Sequence, residues 1–190
     1  MTQQILGLIL DTVTYLYLFV IILRFILQVS RADFYNPISQ FAVKATNPVL
    51  IPLRKLIPGY GGVDIAAIVL ALVFQFVMLG LKFLLIAGGL PDMLSLLMLS
   101  GILVLGTVLK LYFFALLIMI IASWIAPGSP NPALALINQI CEPVMAPFRK
   151  ILPPLGGLDL SPILLFMVLQ ILAVVLNGLS SQFGIPFSLL

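Results

Sequence analysis

The chain has 190 residues, of which 63% are hydrophobic and only 8% charged, with a formal net charge of +3 and no histidine. A soluble domain of this size needs a charged surface to stay in solution, so the composition excludes an ordinary soluble globular protein, and a charge of +3 is too small to indicate direct binding of nucleic acid. Apolar runs long enough to cross a bilayer core predict an all-α integral membrane protein.

Four apolar runs predict four transmembrane helices. They cover about residues 5–29, 64–87, 93–126 and 158–179, and two polar, proline-rich stretches lie between them at 30–62 and 127–157. The third run is too long for one perpendicular span, so we expect it to tilt or to begin in the interface. No basic residue precedes the first run and no small-residue cleavage pattern closes it, which favours a retained helix over a signal peptide.

The sequence contains an internal repeat. A shift of 95 residues aligns the two halves without a gap, and the matched residues are mostly not the abundant leucines. We therefore predict repeat 1 over residues 1–95 and repeat 2 over residues 96–190, each made of a span, an interfacial hairpin and a second span; the first span of repeat 2 is counted as 96–126. An even number of spans gives both repeats the same orientation, so they are parallel, which suggests a pseudo-two-fold axis along the membrane normal.

Each hairpin begins with a helix-start signal. Asn36 and Asn131 are each followed by a proline, which is typical of an N-cap and a first helical position. Apolar residues then recur at helical spacing, so we expect an amphipathic helix that lies at the membrane surface or packs over the ends of the spans. Prolines four residues apart follow, and we expect them to break this helix, with a second short helix beginning near Pro52 or Pro147.

A basic pair and an acid mark the end of each hairpin. The pairs are Arg54–Lys55 and Arg149–Lys150, and the acids Asp64 and Asp159 stand where the next span begins. An interfacial basic pair gains on the order of 1 kcal/mol per charge from anionic lipid, so these four residues are candidates for binding a lipid head group or a protein partner, and they also hold the hairpin on its side of the membrane. Both acids are expected to cap the following helix.

The glycine pairs that precede these acids predict a sharp turn back into the membrane. A phosphate-binding loop is excluded, because no Lys-Ser/Thr pair follows the glycines. Outside the spans, lysine and arginine concentrate in the hairpins and neither terminus carries one. By the positive-inside rule we expect both hairpins to face the cytoplasm and both termini to lie outside it.

Polar residues inside the spans are candidates for pairing between helices, because they are costly in hydrocarbon. The charged ones are Asp11, Lys82 and Lys110, and the glutamines Gln75 and Gln170 hold equivalent positions in the two repeats. We expect Asp11 to pair with Lys82 or Lys110. The two glutamines are expected to meet across the pseudo-two-fold axis as hydrogen-bond partners.

Two further residues have simpler expected roles. Arg24 lies near the end of the first span, and its long side chain is expected to extend to the interface. Cys141 is the single cysteine of the chain, so no intrachain disulfide forms, and we expect it to behave as a small buried apolar residue.

The doubled hairpin motif resembles that of the YggT family, which is called YlmG in Gram-positive bacteria and plastids. The motif reads PLRKLIPGYGGVD from Pro52 to Asp64 and PFRKILPPLGGLD from Pro147 to Asp159. The DLSP segment at 159–162 is also typical, whereas repeat 1 reads DIAA there. The resemblance implies a multi-pass protein of the bacterial inner membrane, linked to envelope organisation, cell division or osmotic and ion tolerance. In that membrane, the termini that the charge distribution places outside the cytoplasm would lie in the periplasm. The resemblance brings no established catalytic residues.

Three functions are compatible with these features. A non-enzymatic scaffold or assembly factor, whose hairpins bind a protein or anionic lipid, is favoured because the residues common to both repeats concentrate in the hairpins. A small channel or transport accessory would use the polar residues of the spans and would need a homo-oligomer. An intramembrane enzyme is disfavoured, since the chain has no histidine, no metal-ligand cluster and no serine clearly spaced to Lys110. We therefore expect no catalytic residue, no cofactor and no metal.

Overall fold

The computed structural model describes residues 1–126, 128–152 and 159–183, and throughout these ranges the chain is helical with short connections. The helices are α1 Thr2–Val29, α2 Pro37–Leu56, α3 Ile65–Lys82 with a π-helical turn over Phe83–Ala87, α4 Met93–Ile125, α5 Pro132–Ile151 and α6 Ser161–Ser181. Four of them, α1, α3 with its π-helical turn, α4 and α6, are long and apolar enough to cross a membrane. The prediction of four spanning helices is confirmed.

The hairpin helices α2 and α5 run through their prolines, so the predicted break near Pro52 and Pro147 is wrong. A proline inside a helix removes one backbone donor and leaves the carbonyl four residues earlier without its partner. In α2 the residues on both sides of Pro48 are anchored by burial: Thr46 and Leu50 are fully buried. Packing on both flanks therefore keeps the segment helical where local preference would end it.

The start of each hairpin helix follows the local sequence. The Asn36 side chain accepts a hydrogen bond from the backbone N–H of Ile38 at 3.0 Å, and Asn131 accepts one from Ala133 at 2.8 Å. Each asparagine thereby satisfies a backbone donor of the first helical turn, which has no partner within the helix. The position at which α2 and α5 begin is thus encoded by two residues, an asparagine and a proline.

The turn into α3 also follows the sequence. Gly61 and Gly62 both have positive φ, at 60° and 82°, a conformation that residues with a Cβ rarely adopt. Tyr60 and Val63 close the turn with two backbone hydrogen bonds of 3.1 and 3.0 Å. The predicted sharp turn is confirmed in repeat 1, whereas its counterpart at residues 156–157 lies outside the described residues.

Within each repeat the two spans pack against each other and the hairpin helix packs against both. Between the repeats the packing is one-sided, since α4 lies against α3 and α1, while α6 makes no comparable contact with α1 in the described part of the chain. A two-fold axis would require the second contact as well as the first. The expected pseudo-two-fold arrangement is therefore wrong, and repeat 2 is attached to one side of repeat 1.

The repeats also touch through their hairpins. The Asn36 side-chain amide donates to the backbone oxygen of Pro132 at 2.7 Å, and the Gln139 side-chain oxygen accepts from the backbone N–H of Asp33 at 2.8 Å. Leu136 and Ile140 of α5 belong to the same buried cluster as the core of repeat 1. The second hairpin helix is thus fixed to repeat 1 as well as to its own spans.

Candidate interfacial binding surface

In repeat 1 an ion pair ties the end of α2 to the start of α3. The Arg54 guanidinium binds the Asp64 carboxylate through two nitrogens, one of them Nε at 3.1 Å. The other carboxylate oxygen of Asp64 accepts from the backbone N–H of Ala67 at 3.3 Å, so the same side chain caps α3. Asp64 is only 4% exposed. A single buried carboxylate therefore fixes the angle between the hairpin helix and the next span.

Repeat 2 has the same contact between an arginine and an aspartate, and its arginine binds a second carboxylate as well. Arg149 Nε lies 2.9 Å from Asp159, and Arg149 Nη1 lies 2.6 and 2.7 Å from the two carboxylate oxygens of Glu142. Asp159 stands one residue before the N-cap of α6, which is Leu160, and its carboxylate accepts from the backbone N–H of Ser161 at 2.9 Å. Asp159 thus serves the first turn of α6 from just outside the helix.

The ionisation of this second pair follows from its hydrogen bonds. Burial alone would raise the pKa of Asp159, but hydrogen bonds from Ser161 and Arg149 outweigh it and hold the pKa below its usual value. The hydrogen bond to Asp159, followed by that to Glu142, raises the pKa of Arg149. Both partners are therefore charged at neutral pH, and the contact is an ion pair.

The structure separates the predicted basic pairs into two kinds of residue. Arg54 and Arg149 are engaged within the chain, where they close the hairpins onto the following spans. Lys55 and Lys150 are exposed, and so is Lys44 on α2. Each arginine is therefore occupied by a carboxylate of the same chain, whereas these lysines extend into the surroundings.

Exposed apolar residues lie beside these lysines on α2. Ile38, Phe41, Val49 and Leu56 are all exposed and follow one another at intervals of three, eight and seven residues, which places them along one side of the helix. This stripe borders the side of α2 that carries its buried residues, since exposed Val49 stands seven residues after buried Ala42. A helix with a second, exposed apolar stripe flanked by lysine has the pattern of one that lies in the membrane interface.

Arg24 has a role that the sequence did not reveal. Its side chain is buried, and Nη1 lies 3.1 Å from the backbone oxygen of Val43, 2.5 Å from Thr46 Oγ1 and 2.7 Å from Asn47 Oδ1. The expectation that Arg24 extends to the interface is therefore wrong. Its guanidinium instead joins α1 to the turn of α2 that precedes Pro48.

One signal in the sequence could have exposed this contact. At the equivalent positions of repeat 2 stand Met119, Cys141 and Glu142 in place of Arg24, Thr46 and Asn47. The cation and its acceptors are thus replaced together between the repeats, as expected for residues that touch. Cys141 is fully buried, as predicted, and burial raises the pKa of its thiol to about 12.

Arg24, Arg54 and Asp64 also line a cavity of about 530 Å³ between α1, α2 and the turn into α3. The two guanidinium groups are partly balanced by the Asp64 carboxylate. In the described part of the chain no group of three or more histidine, cysteine, aspartate or glutamate side chains is arranged to hold a metal ion.

Inside the spans, Asp11 and Lys82 are brought together. Lys82 Nζ lies 2.7 and 2.8 Å from the two carboxylate oxygens of Asp11, which joins α1 to the end of α3. Lys110 lies elsewhere, with its Nζ 5.5 Å from the centre of the Tyr15 ring. Gly106 and Asn177 occupy the equivalents of Asp11 and Lys82, so this ion pair belongs to repeat 1 alone.

The substitution Asp11→Asn is expected to lower the free energy of unfolding by about 1–2 kcal/mol, because it leaves the Lys82 ammonium unpaired against hydrocarbon. The double substitution Asp11→Asn with Lys82→Gln should recover most of that loss. Unfolding in mixed detergent micelles, followed by circular dichroism, measures both. Equal stability of the Asp11→Asn variant and the parent chain would show that the pair contributes nothing.

The two glutamines have different surroundings. Gln75 is buried in α3, whereas Gln170 is exposed on the outside of α6. No hydrogen bond joins them among the residues that the structure describes, which contradicts the expected contact across a two-fold axis. The difference follows from the one-sided packing of the repeats, since α3 is covered by α4 and α6 has no corresponding neighbour.

The comparison with known protein families gives the same 95-residue spacing between the repeats. The model of the CCB3/YggT family matches residues 3–85 and again residues 98–180. The chain belongs to the CCB3/YggT family. The double match confirms both the predicted resemblance and the two-repeat architecture, because the second matched range is the first one shifted by 95 residues.

The bacterial relatives cover most of the chain, and a chloroplastic one covers a third of it. A Pseudomonas aeruginosa protein is 52% identical over 180 residues, covering 94% of this chain and 91% of its own length. The Escherichia coli K12 protein YggT is 37% identical over 164 residues, covering 86% and 84%. The chloroplastic YlmG homolog protein 2 of Arabidopsis thaliana is 40% identical over 62 residues, which is 33% of this chain and 24% of its own. No solved structure matches.

Proposed function

We propose that the protein is a non-enzymatic scaffold of the bacterial inner membrane, which contributes to envelope organisation or cell division by holding its two hairpin helices at the cytoplasmic surface, where they bind anionic lipid head groups. The proposal rests on the different surroundings of the two residues in each basic pair. Arg54 and Arg149 close the hairpins, and Lys55 and Lys150 remain exposed.

The arginine contacts support the proposal because they make the hairpin a rigid platform. Each arginine reaches a carboxylate ten residues further along the chain, at the beginning of the next span. The hairpin helix therefore cannot rotate about its end without breaking an ion pair. A binding surface held in advance loses less conformational entropy when its partner arrives.

The chemistry of the exposed surface favours a lipid partner. Ile38, Val49 and Leu56 of the stripe supply apolar area, and Lys44 and Lys55 supply charge beside it. Apolar burial and attraction to anionic lipid together determine the strength of interfacial binding. The same helix joins two spans, so it is already held at the membrane surface.

The alternative of a channel or transport accessory draws on the charged residues of the spans. Asp11 and Lys82 neutralise each other at 2.7 Å. As a closed pair they offer no net charge to a passing ion, and this favours a scaffold over a conduction pathway.

A lipid-binding measurement tests the proposal. The purified full-length protein is equilibrated in mixed micelles with phosphatidylglycerol or phosphatidylcholine, and bound lipid is counted by native mass spectrometry. Replacing Lys44, Lys55 and Lys150 by glutamine should weaken phosphatidylglycerol binding by about fivefold per lysine, because each interfacial charge contributes about 1 kcal/mol. Binding of phosphatidylcholine should not change.

The matched control replaces the same three lysines by arginine, which keeps the charge and should keep the preference for phosphatidylglycerol. Equal binding of the two lipids by the parent chain would contradict the proposal. Loss of cell-envelope function in the glutamine variant without any change in lipid binding would point instead to a protein partner at the same surface.

A further inference from the structure

The contact between the repeats leaves two helix faces unmatched. Leu96 and Leu99 of α4 form a buried cluster with Leu79 of α3. In the 95-residue register α1 is the counterpart of α4, and α6 is the counterpart of α3. Because α1 and α6 do not pack on each other in a comparable way within the described ranges, each exposes the face that its counterpart buries.

The unmatched face of α6 carries a polar group in the middle of a span. Val174 stands where α3 has the buried Leu79, and it is 71% exposed. Gln170, the counterpart of the buried Gln75, is exposed one turn away and is the tenth of the 21 residues of α6. A glutamine that faces lipid has no hydrogen-bond partner there, and such residues in spans lie at helix–helix contacts. This face therefore has the chemistry of a protein interface.

The unmatched face of α1 is apolar apart from Gln4, the counterpart of Leu99. Leu111 and Val104 of α4 are buried in the cluster that includes the core of repeat 1. Their counterparts on α1 are Leu16, which is 58% exposed, and Ile9, which is also exposed. Residues 9 and 16 lie seven apart and hence on one side of the helix. That side differs from the one that packs on α3, which includes Leu18 and is buried.

The hairpins show the same contrast. Leu136 of α5 is buried against repeat 1, whereas its counterpart Phe41 on α2 is 61% exposed. Asn36 is buried and donates to the backbone oxygen of Pro132, whereas its counterpart Asn131 is exposed. In each of these two pairs the residue at the inter-repeat contact is buried and its counterpart in the other repeat is exposed.

We propose that a second copy of this chain docks head to tail, so that α1 of one copy packs on α6 of the next in the way that α4 packs on α3 within one chain. The partner is a second copy because the contact of α4 with α3 inside the chain already shows how these two kinds of surface fit together. Such docking covers Val174 and Gln170 as α4 covers Leu79 and Gln75. The repeats are parallel, so the operation that relates them keeps every copy upright in the membrane.

This contact is heterologous, which has consequences for the assembly. Each copy has one α1 face and one α6 face to offer, so a further copy can add at either side. The copies therefore form a ring or a row, not an isolated symmetric pair. Several positions differ from the contact inside the chain, among them Val175 for Gly80, Gln4 for Leu99 and Lys44 for Gln139. The hydrogen bond that Gln139 accepts inside the chain therefore has no counterpart between copies.

Cysteine cross-linking in native membranes tests the direction of docking. The background is full-length chain with Cys141→Ala, which removes the single native cysteine. Gln4→Cys stands at the counterpart of Leu99, and Val174→Cys stands at the counterpart of Leu79. Two differently tagged chains, one with each substitution, should give a covalent dimer on mild oxidation when they are expressed together. A chain that carries both substitutions should give a ladder of oligomers.

Three controls make the outcome decisive. The pair Leu79→Cys and Leu99→Cys within one chain should form an internal disulfide, which shows that oxidation reaches this depth. Leu172→Cys, exposed on another side of α6, should not cross-link to Gln4→Cys. A dimer formed by Val174→Cys alone would show symmetric α6–α6 pairing and would overturn the proposal. Formation of the internal disulfide without any Gln4–Val174 product would overturn it as well.

Discussion

Replacing Arg24 by methionine is expected to lower the free energy of unfolding by about 3 kcal/mol, because hydrogen bonds from a buried cation are among the stronger ones and their acceptors would remain buried. Val43, Thr46 and Asn47 would lose their shared donor. Methionine is the informative replacement, since it occupies the equivalent position 119 of repeat 2. The loss is measured by unfolding in mixed micelles, and a lower abundance in the membrane should accompany it.

The matched control is Lys44→Met, which removes an exposed cation from the helix that Arg24 holds. Exposed substitutions of this kind usually change stability by less than about 0.5 kcal/mol. Arg24→Lys should fall between the two, because a lysine keeps the charge but cannot present the planar guanidinium. If the Arg24→Met and Lys44→Met variants unfolded at the same detergent fraction, the Arg24 contact would have no structural role.

Asp64→Ala is expected to cost about 3 kcal/mol, and Asp159→Ala only about 1 kcal/mol, although both belong to the same motif. Asp64 is 4% exposed, and its removal leaves the Arg54 guanidinium without a partner. Asp159 is 33% exposed, and after its removal Arg149 still binds Glu142. The duplicated chain therefore contains its own comparison between an ion pair with a buried carboxylate and one with a partly exposed carboxylate.

The same unfolding assay separates these contributions. Adding Arg54→Ala to Asp64→Ala should cost little more than Asp64→Ala alone, because the two residues act through one contact. Additive losses in the double variant would show that the pair is not coupled. A loss from Asp159→Ala as large as that from Asp64→Ala would show that burial does not determine the difference.

Local sequence predicted the features that depend on a few adjacent residues. The spans follow from the length of apolar runs, the hairpin helices begin at Asn36 and Asn131 because an asparagine followed by proline caps a helix, and Gly61–Gly62 makes the turn. The repeat was visible because the hairpin residues recur at a fixed interval. Each of these signals depends on nearby residues only, so the packing of the rest of the chain does not alter it.

The features that sequence did not predict depend on residues distant along the chain. The helix continues through Pro48 because Thr46 and Leu50 are buried on either side, which no local rule contains. Arg24 turns inward because its acceptors lie on α2. The prediction of a pseudo-two-fold axis was wrong because two similar repeats can pack either symmetrically or through one pair of helices only. Which of the two packings forms depends on the surfaces of α1 and α6, which the repeat pattern does not describe.

The contact of Arg24 also bears on the order in which the protein is made. Its acceptors follow it by 19, 22 and 23 residues, so all three are synthesised before α3 begins at Ile65. A newly inserted α1 carries an unsatisfied guanidinium until the hairpin helix reaches it. The acceptors that satisfy Arg24 therefore lie wholly within repeat 1, and α1 needs no residue of repeat 2 to complete this contact.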